Sequence, residues 1–251
     1  VLLRAAKDTL AIYKYSYDNN EISLFMSPQK LDSYYLNGSS TGQSRLAYYN
    51  ESLYFSGLDD MIFQLSNDGE NINVVARTYG TPLKSLNINS TNGLIYVIDN
   101  SGIIEFNITT DERKLISYEA GEKYLNIGYF RHSQVDENSN ELMILDLTSD
   151  TLIEVDLSTG KRIETFKNGI GNGKKLTRPT DIAYSKTNKT LYVAEDESDL
   201  IFEVDLNTGN REVLLKFVAN SSLNDILIDD EAQVLYILLR NEVMYFDLIT
   251  K

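Results

Sequence analysis

Catalytic and metal chemistry both require particular side chains to be brought within a few ångströms of one another, so the residues able to do either come first. The chain contains no cysteine, which removes thiol nucleophiles, disulfides, zinc-thiolate sites and iron-sulfur clusters. Its one histidine, His132, has no second imidazole with which to share a metal and no serine-nucleophile motif around it. It lies in YLNIGYFRHSQVDENSNE, beginning at Tyr124, a stretch longer than its counterparts elsewhere by about seven residues; this predicts a projecting loop over 129–140 with His132 exposed upon it. No catalytic residue, metal site or cofactor is expected from these residues. A different set is better placed to bind. Arg45, Lys84, Asp181, Asn224 and Asp225 stand at the beginnings of short apolar runs, RLAYY, SLNIN, DIAYS and DILID. If those runs converge, polar groups of both signs converge with them, the usual setting for a small polar ligand or an inserted side chain. The competing expectation is that Arg45 or Lys84 simply pairs with Asp181 or Asp225.

The elements that would position these residues are short strands. In the stretch from Arg178 to Leu215, Ile182-Ala183-Tyr184, Leu191-Tyr192-Val193, Leu200 to Leu206 and Arg211 to Leu215 are apolar runs bounded by Asn, Asp, Ser, Thr or Gly, the pattern of strands joined by tight turns. Asp205-Leu206-Asn207-Thr208-Gly209 reads as a hairpin turn. Counterparts of the Leu191 strand begin at Leu10, Leu53, Ile95, Leu142 and Leu235, a period of about 45 residues, which marks four-stranded propeller blades. The second strands are expected near Tyr13, Phe55, Val97, Ile144, Val193 and Ile237. The first strands read RLAYY, SLNIN, LNIGY, DIAYS and DILID; the third read EISLF, MIFQLS, IIEFNI, LIEVDL, LIFEVDL and VMYFDL. Sheets this small bury their faces only by stacking on one another. The expectation is a single all-β domain over residues 1–251, a six-bladed β-propeller of four-stranded antiparallel blades, incomplete at the termini. VLLRAA at the start fits as the first strand of blade one or as the outer strand of blade six; the second removes an open edge but leaves blade one without an inner strand. Asp99, Asp146 and Glu195, closing second strands, read as caps for the turns that follow.

Composition narrows the partners. With 37 acidic against 23 basic residues the formal charge is -14, which repels nucleic acid and anionic lipid surfaces. No run approaches the 18 or so apolar residues of a membrane span. Six Asn-x-Ser/Thr triplets, at Asn37, Asn50, Asn89, Asn107, Asn188 and Asn220, barely exceed the number chance provides.

Laid side by side, LYVAED, FEVDLNTG and RPTDIAY resemble the NHL-repeat and gluconolactonase-like six-bladed propellers, and are most similar to bacterial extracytoplasmic propellers of unassigned role. Tyr184-Ser185 departs from that pattern, where those units usually carry Asp. The resemblance covers all six repeats and implies an extracellular or periplasmic location. Its enzymes, the metal-dependent lactonases, hold one divalent cation through oxygen ligands just before the inner strands. The equivalent positions here are Ser44, Lys84, Leu125 or Asn126, Thr180 and Asn224, with no carboxylate among them; one position later come Arg45, Ser85, Asp181 and Asp225. The functional expectation is a non-catalytic binding or scaffolding propeller recognising a protein, peptide or glycan through one face, with a metal-dependent lactonase or hydrolase as the alternative.

Overall fold

The structure is a computed structural model that describes residues 12–16, 21–26, 46–56, 61–77, 83–99, 102–118, 130–146, 151–167, 170–177, 179–219, 221–239 and 242–250. Every helix or strand among them is a β-strand, and no helix is long and apolar enough to cross a membrane. The chain divides into two compact units, Val1–Tyr118 and Glu119–Lys251.

In the first unit, β1 (Ile12–Ser16) and β2 (Glu21–Met26) form a hairpin. Two four-stranded antiparallel sheets follow, each laid down in chain order: β3 (Leu46–Tyr49), β4 (Ser52–Ser56), β5 (Met61–Ser66) and β6 (Ile72–Arg77), then β7 (Ser85–Ile88), β8 (Leu94–Ile98), β9 (Gly102–Asn107) and β10 (Glu112–Tyr118). The second unit holds β11 (Phe130–Asp136), β12 (Glu141–Asp146), β13 (Thr151–Asp156) and β14 (Arg162–Lys167), and then β15 (Pro179–Ser185), β16 (Thr190–Glu195), β17 (Leu200–Asp205) and β18 (Arg211–Lys216). It ends on a sheet of three strands, β19 (Asp225–Asp229), β20 (Val234–Leu238) and β21 (Val243–Asp247).

All six expected second strands are present, with Tyr13, Phe55, Val97, Ile144, Val193 and Ile237 in β1, β4, β8, β12, β16 and β20. The blade count is corrected. Among the described residues five blades are found in place of six, four of them complete and one of three strands, and the first repeat contributes only the hairpin β1–β2. The flanking strands expected for that repeat fall on residues outside the described ones, as do VLLRAA, Arg45, Ser44, Leu125 and Asn126.

The second correction concerns 129–140. The expected loop is strand β11 followed by a tight turn at 137–140, and LNIGY is not the described first strand of that sheet. β11 escapes a search for apolar runs because FRHSQVD interleaves polar residues. Gln134 explains one of them: its amide donates to Tyr184 O at 3.3 Å and accepts from Tyr184 N at 2.8 Å, joining β11 to β15.

The middle strands have both faces covered, so they read as continuous apolar runs rather than alternating ones. On β16, Leu191 and Val193 pack with Met143, Leu145 and Leu152 of the preceding sheet. Tyr192 and Ala194, pointing the other way, pack with Ile226, Leu235 and Ile237 of the next. Each such Leu, Ile, Val or Met side chain, fully buried, contributes roughly 1.5–3 kcal/mol. Between the two complete sheets of the first unit, Tyr54, Ile62, Leu86, Ile95, Val97 and Phe106 form the corresponding core. Outer strands meet solvent, and β18 exposes Glu212 and Val213.

Within the second unit the first strands β11, β15 and β19 lie side by side. Whatever their opening residues carry is therefore gathered together. A further tie, between β18 and the connection from β14 to β15, comes from Arg211, buried at the start of β18, which donates to Lys174 O at 2.9 Å and Ile170 O at 2.8 Å. Gly173 allows this close seating, since a Cβ there would come within 2.1 Å of Arg211 O.

Candidate functional site

Strand register decides which residues meet. His132 on β11 pairs across to Leu145, Asp181 on β15 to Ala194, and Asp225 on β19 to Leu238. Leu145, Ala194 and Leu238 each lie three residues beyond the repeat's anchoring Leu142, Leu191 and Leu235, so the three polar residues occupy one equivalent position in three consecutive sheets. Adjacent first strands bring them together: one ligating atom from each of His132, Asp181 and Asp225 lies within 4.8 Å of the others.

Each member is held differently. The Asp181 carboxylate is buried, with only 2% of its side chain exposed, and it reaches out of its own sheet in two directions. Oδ2 accepts the backbone N–H of Ile226 on β19 at 2.7 Å. Oδ1 lies against Nδ1 of His132, from β11. One buried side chain thus joins all three first strands, and its loss would strand a buried N–H. The His132 side chain is 26% exposed, and Asp225 is exposed, so the cluster is open to solvent on that side.

His132 is the residue that sequence reasoning misplaced. Its exposed-loop assignment is corrected to a strand position beside two carboxylates. The available signal was positional. Counting thirteen residues back across the hairpin from Leu145 leads to His132, just as it leads from Ala194 to Asp181.

Of the five expected site residues, Asp181 and Asp225 are brought together. Asn224 is the exposed residue before Asp225, and its backbone N–H bonds Leu238 O at 2.9 Å. Lys84 is the equivalent residue in the first unit, its N–H bonding Ile98 O at 2.8 Å. Thr180 stands at the same position on β15 and donates from Oγ1 to Ala194 O at 3.3 Å. Among the described residues, this position holds no carboxylate, and the acids lie one residue later. Arg45 is outside the described residues.

Tyr184, farther along β15, takes no part in acid-base chemistry near neutrality. Burial, then the charges of Asp136 and Glu154, push its phenol up to about 12.

Other acids of the same repeats are engaged in turns. Asp156 Oδ1 accepts Ser158 N at 2.7 Å and Thr159 N at 3.1 Å; Asp205 Oδ1 accepts Asn207 N at 2.8 Å and Thr208 N at 3.3 Å; Asp247 does likewise with Ile249 and Thr250. Hydrogen bonds, chiefly from the Thr159 side chain to Asp156 and from the Asn207 backbone to Asp205, hold both below the usual carboxylate range. Asp99 caps its turn as expected, accepting Gly102 N at 3.1 Å. Glu195 bonds Ser198 but also the backbone and hydroxyl of Thr177, well before it in sequence. Asn89 is buried, with its Oδ1 accepting Thr91 N and Asn92 N.

The fold has clear likenesses among solved structures. A chain of a nidogen/laminin complex superposes with a TM-score of 0.71 at 13% identity, over 99% of this chain and 89% of its own length. A Bacteroides thetaiotaomicron protein of unknown function gives 0.68 at 14% identity, over 94% of this chain and 63% of its own. Regucalcin from Agrobacterium tumefaciens, described as a calcium-binding protein, gives 0.58 at 15%, over 81% and 70%. At these identities the likeness shows the fold, a β-propeller, and nothing finer. No family model matches the sequence, and no curated protein does.

Proposed function

We propose that the chain is a non-catalytic binding propeller that recognises a protein, peptide or glycan ligand through the first-strand cluster of its second unit. The observation that carries this reading is the convergence of His132, Asp181 and Asp225 from one register position on three strands, with a buried member fixing the geometry and an exposed member facing solvent. Exposed Asn224, beside Asp225, adds a neutral donor and acceptor. The cluster favours a ligand bearing hydroxyls, amides or a positive charge. The ligand-binding roles expected of Arg45 and Lys84 stay part of the proposal, and the location is proposed to be extracellular or periplasmic, after the bacterial propellers the repeats resemble.

The test is a glycan and peptide array probed with the native chain, with Asp225→Ala and with Asp205→Ala. Ligands lost with Asp225→Ala and kept with Asp205→Ala support the reading. Ligands kept by both variants move recognition elsewhere.

A lactonase is the second reading, favoured by the fold's likeness to regucalcin. The position that the resemblance assigns to its cation holds Lys84, Thr180 and Asn224, a poor set for a hard divalent ion, which takes several oxygen ligands and most readily carboxylates. Hydrolysis of gluconolactone by the purified chain with added Ca²⁺, above that of buffer with Ca²⁺, would establish this reading over the first.

A further inference from the structure

We infer that His132, Asp181 and Asp225 form a binding site for one divalent transition-metal ion of the zinc or nickel class. This goes beyond ligand recognition and is tested without any organic ligand. The donor set is one imidazole and two carboxylates, each from a different strand. Imidazole suits zinc, nickel and copper, whereas calcium and magnesium take oxygen alone. Two carboxylates offset the charge of a divalent ion, and the acidic chain as a whole raises its local concentration.

The spacing is close to what coordination needs. With metal-ligand distances near 2.1 Å, donor atoms on one ion lie at most about 4.3 Å apart, and here the three lie within 4.8 Å. The small closure required falls on the most movable member, Asp225, which is exposed at the start of its strand. Asp181 carries the feature that distinguishes a built site from a chance cluster. Its second oxygen is fixed by Ile226 N–H at 2.7 Å, so the carboxylate is oriented by a bond outside the ion's own shell. Three protein ligands leave positions for water or for an oxygen of a bound molecule. The site stands one residue later than the position the resemblance assigns to the lactonase cation, and it includes an imidazole that such an oxygen-only site lacks.

The experiment is calorimetric titration of chelator-treated native chain with ZnCl₂, NiCl₂ and CaCl₂, repeated on His132→Ala and Asp225→Ala. Both substituted side chains are at least partly exposed, and unchanged circular dichroism and thermal midpoints verify that both variants fold. The expected result is one Zn²⁺ or Ni²⁺ per chain, bound more tightly than Ca²⁺, with affinity falling on the order of 10-fold or more in each variant, as loss of a ligand should exceed loss of an outer-shell partner. Absence of zinc and nickel binding overturns the inference and leaves His132 and Asp181 as a side-chain contact between strands. Binding that both variants retain, or calcium binding that exceeds zinc and is indifferent to His132→Ala, overturns it as well. If metal binding fails while array ligands still bind and are lost with Asp225→Ala, this site falls and the proposed function stands.

Discussion

Asp156, Asp205 and Asp247 close the third strands of three consecutive sheets, while Asp181 and Asp225 stand at or near the start of the first strands of two of them. The closing aspartates bind backbone N–H groups two and three residues ahead, and everything they do is local. The opening aspartates act between sheets: Asp181 touches β11 and β19, and the cluster it anchors has one member from each strand. Residue type is the same and the repeat is the same. What differs is whether the nearest polar groups come from the residue's own turn or from a neighbouring strand. That decides whether an aspartate serves as a cap or as part of a site.

The comparison predicts unequal consequences of mutation. Asp181→Ala should do the most damage, about 1–3 kcal/mol, because it strands the buried Ile226 N–H. At roughly 2–4 °C per kcal/mol for a chain of this size, a thermal melt would show a loss of several degrees. Asp181→Asn keeps an acceptor for that N–H and should recover part of the loss; equal damage by both would shift the weight to the His132 contact.

Asp230 tests the case between cap and site, since its carboxylate accepts Ser185 Oγ at 2.5 Å and Thr187 N at 2.8 Å from the turn after β15. Asp230→Ala should cost about 1–2 kcal/mol, the range for bonds to a charged group at a partly open position, measured by urea denaturation. Burial pushes its carboxyl up, but the bonds from Ser185, Thr187 and Gln233 outweigh this and hold it below its ordinary value. Its contribution is therefore complete above the unfolded value of 3.8 and is lost as pH falls through the depressed folded value.

Smaller still are the turn aspartates. Asp156 and Asp205 are also held below 3.8, chiefly by hydrogen bonds to the Thr159 side chain and to the Asn207 backbone respectively. Their contributions follow the same direction, present above pH 3.8 and fading beneath it. Carboxyl carbon resonances followed through an acid titration should put both midpoints below the ordinary aspartate value. Midpoints at the ordinary value would remove the distinction between a bound cap and a solvated acid. Asp225→Ala, at an exposed position without metal present, should alter stability by less than about 0.5 kcal/mol.

The local half of this picture was legible in the sequence. Asp-Leu followed by Ser-Thr-Gly or Asn-Thr-Gly specifies its turn because donor and acceptor lie within a few residues, and Leu-Tyr-Val repeats because both faces of β16 and its equivalents are buried. The first-strand cluster was legible only in part. Asp181 and Asp225 were found from their apolar runs, whereas β11 carries Ser133 and Gln134 where β15 and β19 carry Ile182 and Ala183, and Ile226 and Leu227. Gln134 is there to bond β15, a purpose visible only after the strands are set side by side. Register, not residue type, held the missing information.

That three first strands deliver one cluster is the claim on which the site rests, and the chain offers a single probe for it. With one histidine, the imidazole C–H region of a proton spectrum reports His132 alone. At fixed pH and without added metal, the account predicts that its resonances move in Asp181→Asn and in Asp225→Asn and stay in place in Asp156→Asn and Asp205→Asn. Resonances unmoved by Asp225→Asn, or moved as far by Asp205→Asn, would contradict the convergence of β11, β15 and β19 on one site.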